Sequence, residues 1–295
     1  MRLISTNIAS AETLGVAVDE HWLPAAEIAG GGPRTIDELL SGGSEALASL
    51  SGAVRDGSAI REHDRDLDGQ RLLAPITRPG KIIGIGRNYR EHAAEEGVEP
   101  PSAPLIFGKW STTIVGPGSE IRWDPTLATQ VDYEAELGVV IGRRARRVSE
   151  GEALDYVLGY TCLNDVSARD LQFGDGQWVR GKSLDTFCPI GPAIVTTDEI
   201  PDPQRLRLSC TVSGERLQDA TTADMYFSVA EIISYCSRAF TLEPGDVIAT
   251  GTPSGVGAFR KPPRYLTDGD VVQVEVEGIG RLENTCRFET NGAAA

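Results

Sequence analysis

The chain has 295 residues, with 28 lysines and arginines against 43 aspartates and glutamates, which gives a formal net charge of −15. A hydrophobic content of 40%, with 33 glycines and 17 prolines, is typical of a turn-rich globular protein and excludes a disordered, collagenous or coiled-coil chain. Because so acidic a surface repels phosphate backbones and anionic bilayers, we expect neither nucleic acid nor membrane as a partner. An anionic substrate would need a local basic pocket.

The cysteine pattern and the N-terminus indicate a location. An odd number of widely spaced cysteines without a C-x-x-C pair argues against a disulfide framework and a thiolate zinc site. The first twenty residues lack a charged segment followed by an apolar run, and no stretch of about 18 apolar residues occurs. We therefore predict a soluble cytoplasmic protein.

The amino-acid composition of the chain changes near residue 70. Before it lie glycine runs (Gly30–Gly32, Gly42–Gly43) and the charged stretch Arg61–Asp68. We predict a small N-terminal α+β domain over residues 1–70 and a larger domain over residues 71–295. From residue 71 onward, short apolar runs alternate with glycine and proline, which predicts a strand-rich, mixed α/β fold. These runs are Leu72–Ile76, Lys81–Ile85, Pro104–Gly108, Leu137–Ile141 and Val247–Thr250.

Two segments carry helix signals. Ser149–Val157 and Ser228–Phe240 both begin with a serine followed three residues later by a glutamate, the signature of a capping box. In the second, apolar residues recur at spacings of three and four, which predicts an amphipathic helix. Strict alternation predicts strands over Leu206–Val212, ending in a Ser213-Gly214 turn, and over Val272–Val276.

The stretch Asp132–Ile141 carries acids on alternate residues before turning apolar. In a strand, Glu134 and Glu136 would point to the same face, and two such carboxylates repel unless a cation or a proton lies between them. Hard divalent ions suit an all-oxygen site, although alternating acids are also typical of a solvated strand face. A third acid, Asp165, follows an apolar strand, where Asn-Asp is equally typical of a turn.

Two basic side chains are candidates for catalysis. His92 and Glu95 lie three residues apart in a short helix-like segment, so Glu95 can orient the imidazole as a general base for water. Alone, such a pair is equally an ordinary surface pair. Lys182 lies where a strand would present its ammonium toward a cavity, or it is a surface lysine in a loop. The glycine-rich stretch Thr250–Gly257 would bind an oxyanion or form only a sharp turn.

Other chemistries lack their motifs. The chain has no complete dinucleotide fingerprint, no P-loop, no His-Glu-x-x-His and no Gly-x-Ser-x-Gly elbow. Its one basic cluster, Arg143–Arg147, follows a strand and is interpreted as a solvated connection.

Five motifs occur in one order and together are far more specific than any one of them. They are Gly84-x-Gly86-Arg87-Asn88-Tyr89-x-x-His92-x-x-Glu95, Asp132-Tyr133-Glu134-x-Glu136-Leu137, Asn164-Asp165-Val166-Ser167-Ala168-Arg169-Asp170, Gly181-Lys182-Ser183 and Thr250-Gly251-Thr252-Pro253. Over about Leu72 to Phe288 the chain resembles the fumarylacetoacetate hydrolase family. The resemblance implies a β-roll-like catalytic domain, a divalent metal (Mg²⁺ or Mn²⁺, with Ca²⁺ an alternative occupant in crystals) and a homodimer.

The resemblance also assigns residues to roles. It implies Glu134, Glu136 and Asp165 as metal ligands, His92 and Glu95 as a water-activating dyad in a lid helix, and Lys182 as the active-site lysine. Substrate-binding positions would be Arg87, Tyr89, Arg169, Gln172 and Thr252.

The implied reaction is the hydrolysis of a C–C bond in an acylpyruvate-type 2-oxo acid, which releases pyruvate. The same site would also serve a 2-hydroxyhepta-2,4-diene-1,7-dioate isomerase or an oxaloacetate-type decarboxylase. A non-catalytic protein that binds metal or a 2-oxo acid is the remaining alternative, and it would tolerate substitution of His92.

Overall fold

Strands dominate the computed structural model, which describes residues 1–28, 31–56, 65–67 and 69–289. In chain order they are β1 (Arg2–Ile8), β2 (Ala11–Val18), β3 (His21–Pro24), β4 (Arg65–Asp66), β5 (Leu72–Leu73), β6 (Ile82–Gly86), β7 (Leu105–Lys109), β8 (Ile114–Val115), β9 (Glu120–Trp123), β10 (Val131–Asp132), β11 (Ala135–Ile141), β12 (Val157–Asn164), β13 (Ser167–Ala168), β14 (Cys188–Thr196), β15 (Arg207–Val212), β16 (Glu215–Thr221), β17 (Val247–Ala249), β18 (Val271–Val276) and β19 (Gly280–Phe288). The helices are α1 (Ala25–Ile28), α2 (Ile36–Ser41), α3 (Gly43–Asp56), α4 (Arg90–Glu96), α5 (Arg169–Asp175), α6 (Trp178–Lys182) and α7 (Val229–Ala239). Within these ranges no helix has the length and apolar character needed to cross a membrane.

A twelve-stranded sheet forms the centre of the molecule. Its main path runs β4-β3-β2-β1-β14-β12-β11-β17-β6-β7, with β5 paired to β1 and β8 to β14. Every residue of β11 and β12 is buried, as expected for strands covered on both faces. These two strands are antiparallel, with Ala135 opposite Asn164, so the residue before β11 and the residue after β12 lie at the same edge.

A second sheet of five strands, in the order β16-β15-β18-β19-β9, packs against the first. Along β18 buried and more exposed residues alternate, and its buried Val274 pairs with buried Cys210 of β15. Both strands predicted from alternation are confirmed, and the two residues of the turn after β15, Ser213 and Gly214, have positive φ angles of 48° and 87°. Burial of the inner faces of both sheets in one cluster forms the main hydrophobic core.

The two predicted helices differ in outcome. At α7 the Ser228 hydroxyl accepts from the Glu231 amide and the Glu231 carboxylate accepts from the Ser228 amide, so the capping box is confirmed. The segment that follows Ser149 is helical, but it is a 3₁₀ helix over Glu150–Tyr156 and the capping box predicted there is wrong. Its partly buried Leu154 and Tyr156 pack against the main core, and the Ser149 hydroxyl donates to the Glu152 carboxylate instead of accepting from a backbone amide.

The N-terminal strands belong to the main sheet. Strand β1 pairs with β14, placing Arg2 opposite Val195 and Leu3 opposite Ile194. The division into domains at residue 70 therefore stays a prediction, with the backbone pairing continuous across it. Gly30 and much of the stretch Arg61–Asp68, which marked that division in the sequence, lie outside the described residues.

Candidate active site

Three buried carboxylates meet at the edge where β11 begins and β12 ends. Glu134 directly precedes β11, Glu136 is its second residue, and Asp165 directly follows β12. The Asp165 amide donates to the Glu134 carbonyl over 2.9 Å, which holds the two chain segments together. One carboxylate oxygen from each residue lies within 4.8 Å of the others. The sequence placed Glu134 inside the strand, whereas it lies in the extended residue before it, and the two glutamates still converge.

The carboxylates of this cluster differ in their electrostatic surroundings. Burial, together with the charges of Asp165 and Glu134, raises the pKa of Glu136 well above its usual range. Burial also opposes ionisation of Glu134, but the nearby Lys182 and Arg169 lower its pKa to about 2. Since close carboxylates ionise together only when a cation compensates them, this cluster calls for additional positive charge.

Lys182 supplies part of that charge. Its Nζ lies 2.6 Å from Glu134 Oε2 and 2.9 Å from Asp165 Oδ2, and its side chain is 3% exposed. The sequence predicted a strand here, but Lys182 is the last residue of helix α6, which packs its C-terminal end beside the cluster.

A second lysine was not predicted. Lys109, at the end of β7, donates from Nζ to Asp165 Oδ1 over 2.6 Å, to the Val166 carbonyl over 3.3 Å and to the Lys182 carbonyl. These contacts use all three N–H bonds of a fully buried ammonium. No local sequence signal marks Lys109, because its partners come from distant parts of the chain.

Arg169 connects the cluster to a further acid. From the first turn of α5 its Nε donates to Asp132 Oδ2 over 2.9 Å, and its Nη2 lies 2.6 Å from Glu134 Oε1. Its Nη1 donates to Gln172 Oε1 over 3.0 Å, which joins two predicted substrate-binding residues. Asp132 was quoted in the sequence motif without a role; it also accepts from the Gly257 and Ala258 amides, so it anchors the glycine-rich loop.

That loop closes another side of the site. The Gly251 amide donates to Glu136 Oε2 over 2.8 Å, and Gly251 has a φ of +102°, a conformation that L side chains rarely adopt. The Thr252 hydroxyl donates to the Ala135 carbonyl over 3.0 Å. Thr252 is thus fixed on strand β11 itself.

Helix α4 covers the cluster and carries His92, as predicted. The His92 Nδ1 lies 2.8 Å from Glu95 Oε1, and Glu95 Oε2 accepts from the Gly255 amide over 3.0 Å. The sequence missed a second partner: Glu96 Oε1 lies 3.1 Å from His92 Nε2. Its spacing of four residues from His92 was the available signal. Burial lowers the pKa of His92, but hydrogen bonds to Glu95 and Glu96 and the charge of Glu134 raise it above its usual value overall.

The motif before α4 is held by Asn88. Its amide nitrogen donates to the Phe227 and Thr250 carbonyls, and its amide oxygen accepts from the Phe227 amide. Tyr89 follows and is buried, with a hydroxyl that finds no hydrogen-bond partner among the described residues. Burial and the charge of Glu136 raise the pKa of this phenol well above its usual range. Tyr89, predicted to bind substrate, is not among the residues that line the cavity between α4 and the cluster.

A small cavity lies between α4 and the cluster. Its free volume is about 20 Å³, the space of a single water molecule. Of the predicted site residues, it is lined by Arg87, His92, Glu134, Glu136, Arg169, Gln172, Lys182 and Thr252. The predicted residues Glu95 and Asp165 do not line the cavity but contact His92 and Lys182, which do. The sequence did not predict three further lining residues, which are Phe107, Trp178 and Glu96.

The cluster fits a divalent cation. Three carboxylates converge, all donors are oxygens, and the Lys182 ammonium already lies between Glu134 and Asp165, so this position accommodates positive charge. Oxygen ligands of this kind suit Mg²⁺, Mn²⁺ or Ca²⁺ and do not select among them.

Comparison with known proteins agrees with this arrangement. Residues 81–287 match the family model described as fumarylacetoacetate (FAA) hydrolase C-terminal. The chain belongs to the fumarylacetoacetate hydrolase family. An oxaloacetate tautomerase of Xenopus laevis, described as mitochondrial, is 45% identical over 254 residues, which cover 85% of this chain and 78% of that protein.

Solved structures of this family have the same fold. A fumarylacetoacetate hydrolase from Exiguobacterium antarcticum is 38% identical with a TM-score of 0.81, covering 98% of this chain and 100% of that one. A 2-hydroxyhepta-2,4-diene-1,7-dioate isomerase from Mycobacterium marinum is 35% identical with a TM-score of 0.75, covering 99% and 100%. The predicted fold class and family are confirmed, and the chain is an enzyme of this family. Since the Xenopus relative is mitochondrial, the cytoplasmic location stays a prediction.

Proposed function

We propose that this fumarylacetoacetate hydrolase family member is a divalent-metal-dependent enzyme that forms and uses the enol of a 2-oxo acid bearing a second carbonyl group. The observation that carries the proposal is one cavity with a carboxylate-supported imidazole on one wall and a lysine within an acidic cluster on the other. Such a pair can remove a proton on one side of a substrate and supply a hydrogen bond or a proton on the other.

Each residue has a defined part in this chemistry. A divalent ion held by Glu134, Glu136 and Asp165 would supply Lewis-acid polarisation of the substrate oxygens. His92 Nε2 removes a proton from C3, the C–H electron pair becomes the C2–C3 double bond, and the C2 oxygen takes up the charge. Lys182 Nζ gives a proton to that oxygen, which completes the enol, and Glu95 holds the imidazole through Nδ1. In the reverse direction Lys182 takes the proton back from the enol oxygen while His92 returns a proton to C3, which regenerates the ketone.

Keto–enol tautomerisation of an oxaloacetate-type acid is the reaction we place first. The 45% identity to an oxaloacetate tautomerase supports it. Proton transfer needs only the base, the acid and the polarised carbonyl. Tautomerisation was not among the reactions predicted from the sequence; we place it ahead of hydrolysis because of the identity to that relative.

Hydrolysis of an acylpyruvate is the second candidate, and the intact His92–Glu95 pair and the hydrolase from Exiguobacterium antarcticum favour it. In that reaction His92 takes a proton from water and the hydroxide adds to the distal carbonyl. The C–C bond then breaks, its electrons pass to the pyruvate enol, and Lys182 returns a proton to C3. Decarboxylation of oxaloacetate would use the same enol with CO₂ as the leaving group.

The reactions separate in one set of assays on the purified protein. We expect the protein with Mg²⁺ or Mn²⁺ to accelerate the decay of the enol absorbance of oxaloacetate, and we expect no acceleration with chelator. In His92→Ala the catalysed rate should fall by about 100-fold or more. The control is Glu99→Gln, an exposed residue just beyond α4. Pyruvate release from a short acylpyruvate instead would make hydrolysis the first reaction. Activity in His92→Ala equal to wild type would contradict both.

Two further features stay proposals. We propose Mg²⁺ or Mn²⁺ as the native ion, to be checked by metal analysis of protein purified without chelator. We propose a homodimer, for which light scattering after gel filtration should give twice the 31.6 kDa of one chain.

A further inference from the structure

An anionic side chain bridges two basic groups at one end of the cavity. Glu96 Oε2 accepts from Arg87 Nε over 2.7 Å, while its Oε1 lies 3.1 Å from His92 Nε2. All three residues line the cavity. Glu96 therefore holds a carboxylate against the nitrogen that the mechanism requires for proton removal.

The position of Arg87 is fixed by the backbone. It has a φ of 56°, in the left-handed region that non-glycine residues rarely adopt, and non-glycine residues in such conformations cluster at functional sites. The fully buried Asn88, with its three hydrogen bonds to neighbouring segments, holds the chain in this conformation. The guanidinium, 32% exposed, is oriented by Glu96 and by the Trp178 ring, so its cation is in place to bind an anion.

Two aromatic rings connect Lys182 to Arg87. Lys182 Nζ lies 5.2 Å from the centroid of Phe107, whose ring packs edge-on against Trp178 at 5.6 Å. The Arg87 guanidinium lies 5.6 Å from the Trp178 ring centroid. A Cβ at Gly86 would come within 2.4 Å of Trp178, so the ring packs directly on the backbone of β6. The cavity thus has a cation at each end of an apolar wall.

From this arrangement we infer that Arg87 is a specificity site for the second carboxylate of a 2-oxo dicarboxylic acid, and that Glu96 occupies its anion position until the substrate displaces it. This inference rests on the proposed 2-oxo acid function and adds that the far carboxylate of the substrate is recognised, through Arg87 and Glu96. The cavity of about 20 Å³ has to open for this, and movement of Glu96 off Arg87 is the opening that we propose. With the 2-oxo acid group at the cluster, the far end of the molecule then runs along Phe107 and Trp178 toward Arg87. A far carboxylate exchanges for Glu96 on the guanidinium and releases His92 Nε2 at the same time. A neutral far end leaves the Glu96 bridge in place.

The test is a binding measurement with two matched probes. 2-Oxoglutarate and 2-oxopentanoate are both five-carbon 2-oxo acids and differ only in a terminal carboxylate or methyl group. Their affinities are measured by calorimetry on the Mn²⁺-saturated protein, for wild type, Arg87→Met, Arg87→Lys, Glu96→Gln and the control Glu99→Gln.

We expect wild type and Glu99→Gln to prefer 2-oxoglutarate by about 10-fold or more, as an arginine–carboxylate contact predicts. Arg87→Met should reduce this preference to about twofold or less, because it weakens 2-oxoglutarate more than 2-oxopentanoate, with Arg87→Lys intermediate. Glu96→Gln should increase the preference by about threefold, because the competing charge is removed.

Each contrary outcome has one meaning. If wild type binds both acids equally, or if Arg87→Met keeps the wild-type preference, the specificity site is wrong and the proposed function stands. If Arg87→Met weakens both acids alike, Arg87 has only a structural role and the inference also fails. If wild type binds neither acid with Mn²⁺, the 2-oxo acid function fails and the inference fails with it.

Discussion

Two buried lysines share the carboxylate of Asp165 but are held differently. Lys109 donates to Asp165 Oδ1 and, with its other two N–H bonds, to two backbone carbonyls. Lys182 donates to Asp165 Oδ2 and to Glu134, and it lines the cavity. Lys109 therefore fixes the orientation of Asp165, and Lys182 remains available to a substrate. A charge count of the sequence distinguishes neither role, because both depend on partners brought together by folding.

Replacement of Lys109 by methionine should destabilise the protein strongly. The change leaves a buried carboxylate with one cation fewer, and breaking a buried ion pair from one side costs about 3 to 5 kcal/mol. Urea unfolding measures the loss. The control is Arg144→Met, which removes the exposed pair with Glu243 and should cost less than about 1 kcal/mol. Equal losses in the two variants would show that Lys109 is not the structural partner of Asp165.

The pH dependence of activity should report the carboxylates around His92. A general base works in its neutral form. Burial lowers the pKa of His92, but the hydrogen bonds to Glu95 and Glu96 and the charge of Glu134 have the larger effect and raise this pKa above 6.5. We therefore expect kcat/KM to fall with decreasing pH through an apparent pKa above 6.5.

Glu96→Gln should move this acid limb to lower pH, because it removes one of the charges that favour the imidazolium. Glu91→Gln on the same helix, whose carboxylate accepts from the Ser254 hydroxyl, should leave the limb in place. An unchanged limb in Glu96→Gln, or a shift to higher pH, would contradict the assignment of His92 as the base.

At the scale of elements, the same capping signature has two outcomes. Ser228 and Glu231 form a complete box because α7 buries an apolar stripe and is held in place, while Ser149 precedes a 3₁₀ helix and caps no amide. Ser228→Ala should therefore lower the free energy of unfolding by about 1 kcal/mol, and Ser149→Ala by less than about 0.5 kcal/mol. Urea unfolding compares the two. Equal losses of unfolding free energy in the two variants would show that the capping box at α7 does not stabilise the protein more than the exposed Ser149 does.

Elements with a strong local pattern were predictable, and those defined by distant contacts were not. Strand β11, the strand end before Asp165 and the helix carrying His92 follow from period and spacing. Lys182 was placed on a strand because its neighbours are short of helix signals, and α6 has only five residues, stabilised by packing on α5 and β7. Lys109 and Trp178 reach the site through tertiary contacts that no local window contains. The resemblance therefore indicated the three converging carboxylates, whose role as metal ligands stays a proposal, but not the residues that support them.

At the scale of the molecule, an acidic chain gathers several cations at one site. The net charge is −15, yet Arg87, Arg169 and Lys182 line one small cavity, beside the carboxylates of Glu96, Glu134 and Glu136. Because these charges offset each other, an anionic substrate would need a further bound cation in this cavity. A single sheet carries this site, since β1 through β3 continue the same hydrogen-bonded path as the strands that hold the cluster.

The shared sheet predicts one cooperative unfolding transition. Leu3 of β1 is fully buried and lies opposite Ile194 of β14, so Leu3→Ala should cost about 2 to 5 kcal/mol and shift the whole transition. Ala11→Ser, an exposed change in the adjacent strand, should have little effect. Fluorescence and circular dichroism followed in urea would show this. Two separate transitions, with only the first moved by Leu3→Ala, would indicate that the N-terminal residues unfold independently.

The central claim is that His92 removes and returns a proton at C3 of a 2-oxo acid in a metal-dependent site. Proton NMR in D₂O, following the exchange of the C3 protons of 2-oxoglutarate with Mg²⁺ present, tests it without assuming which product forms. We predict rapid exchange by the wild-type protein, none with chelator, and exchange slower by about 100-fold or more in His92→Ala. Exchange no faster than in buffer, or equally fast in His92→Ala, would contradict the claim.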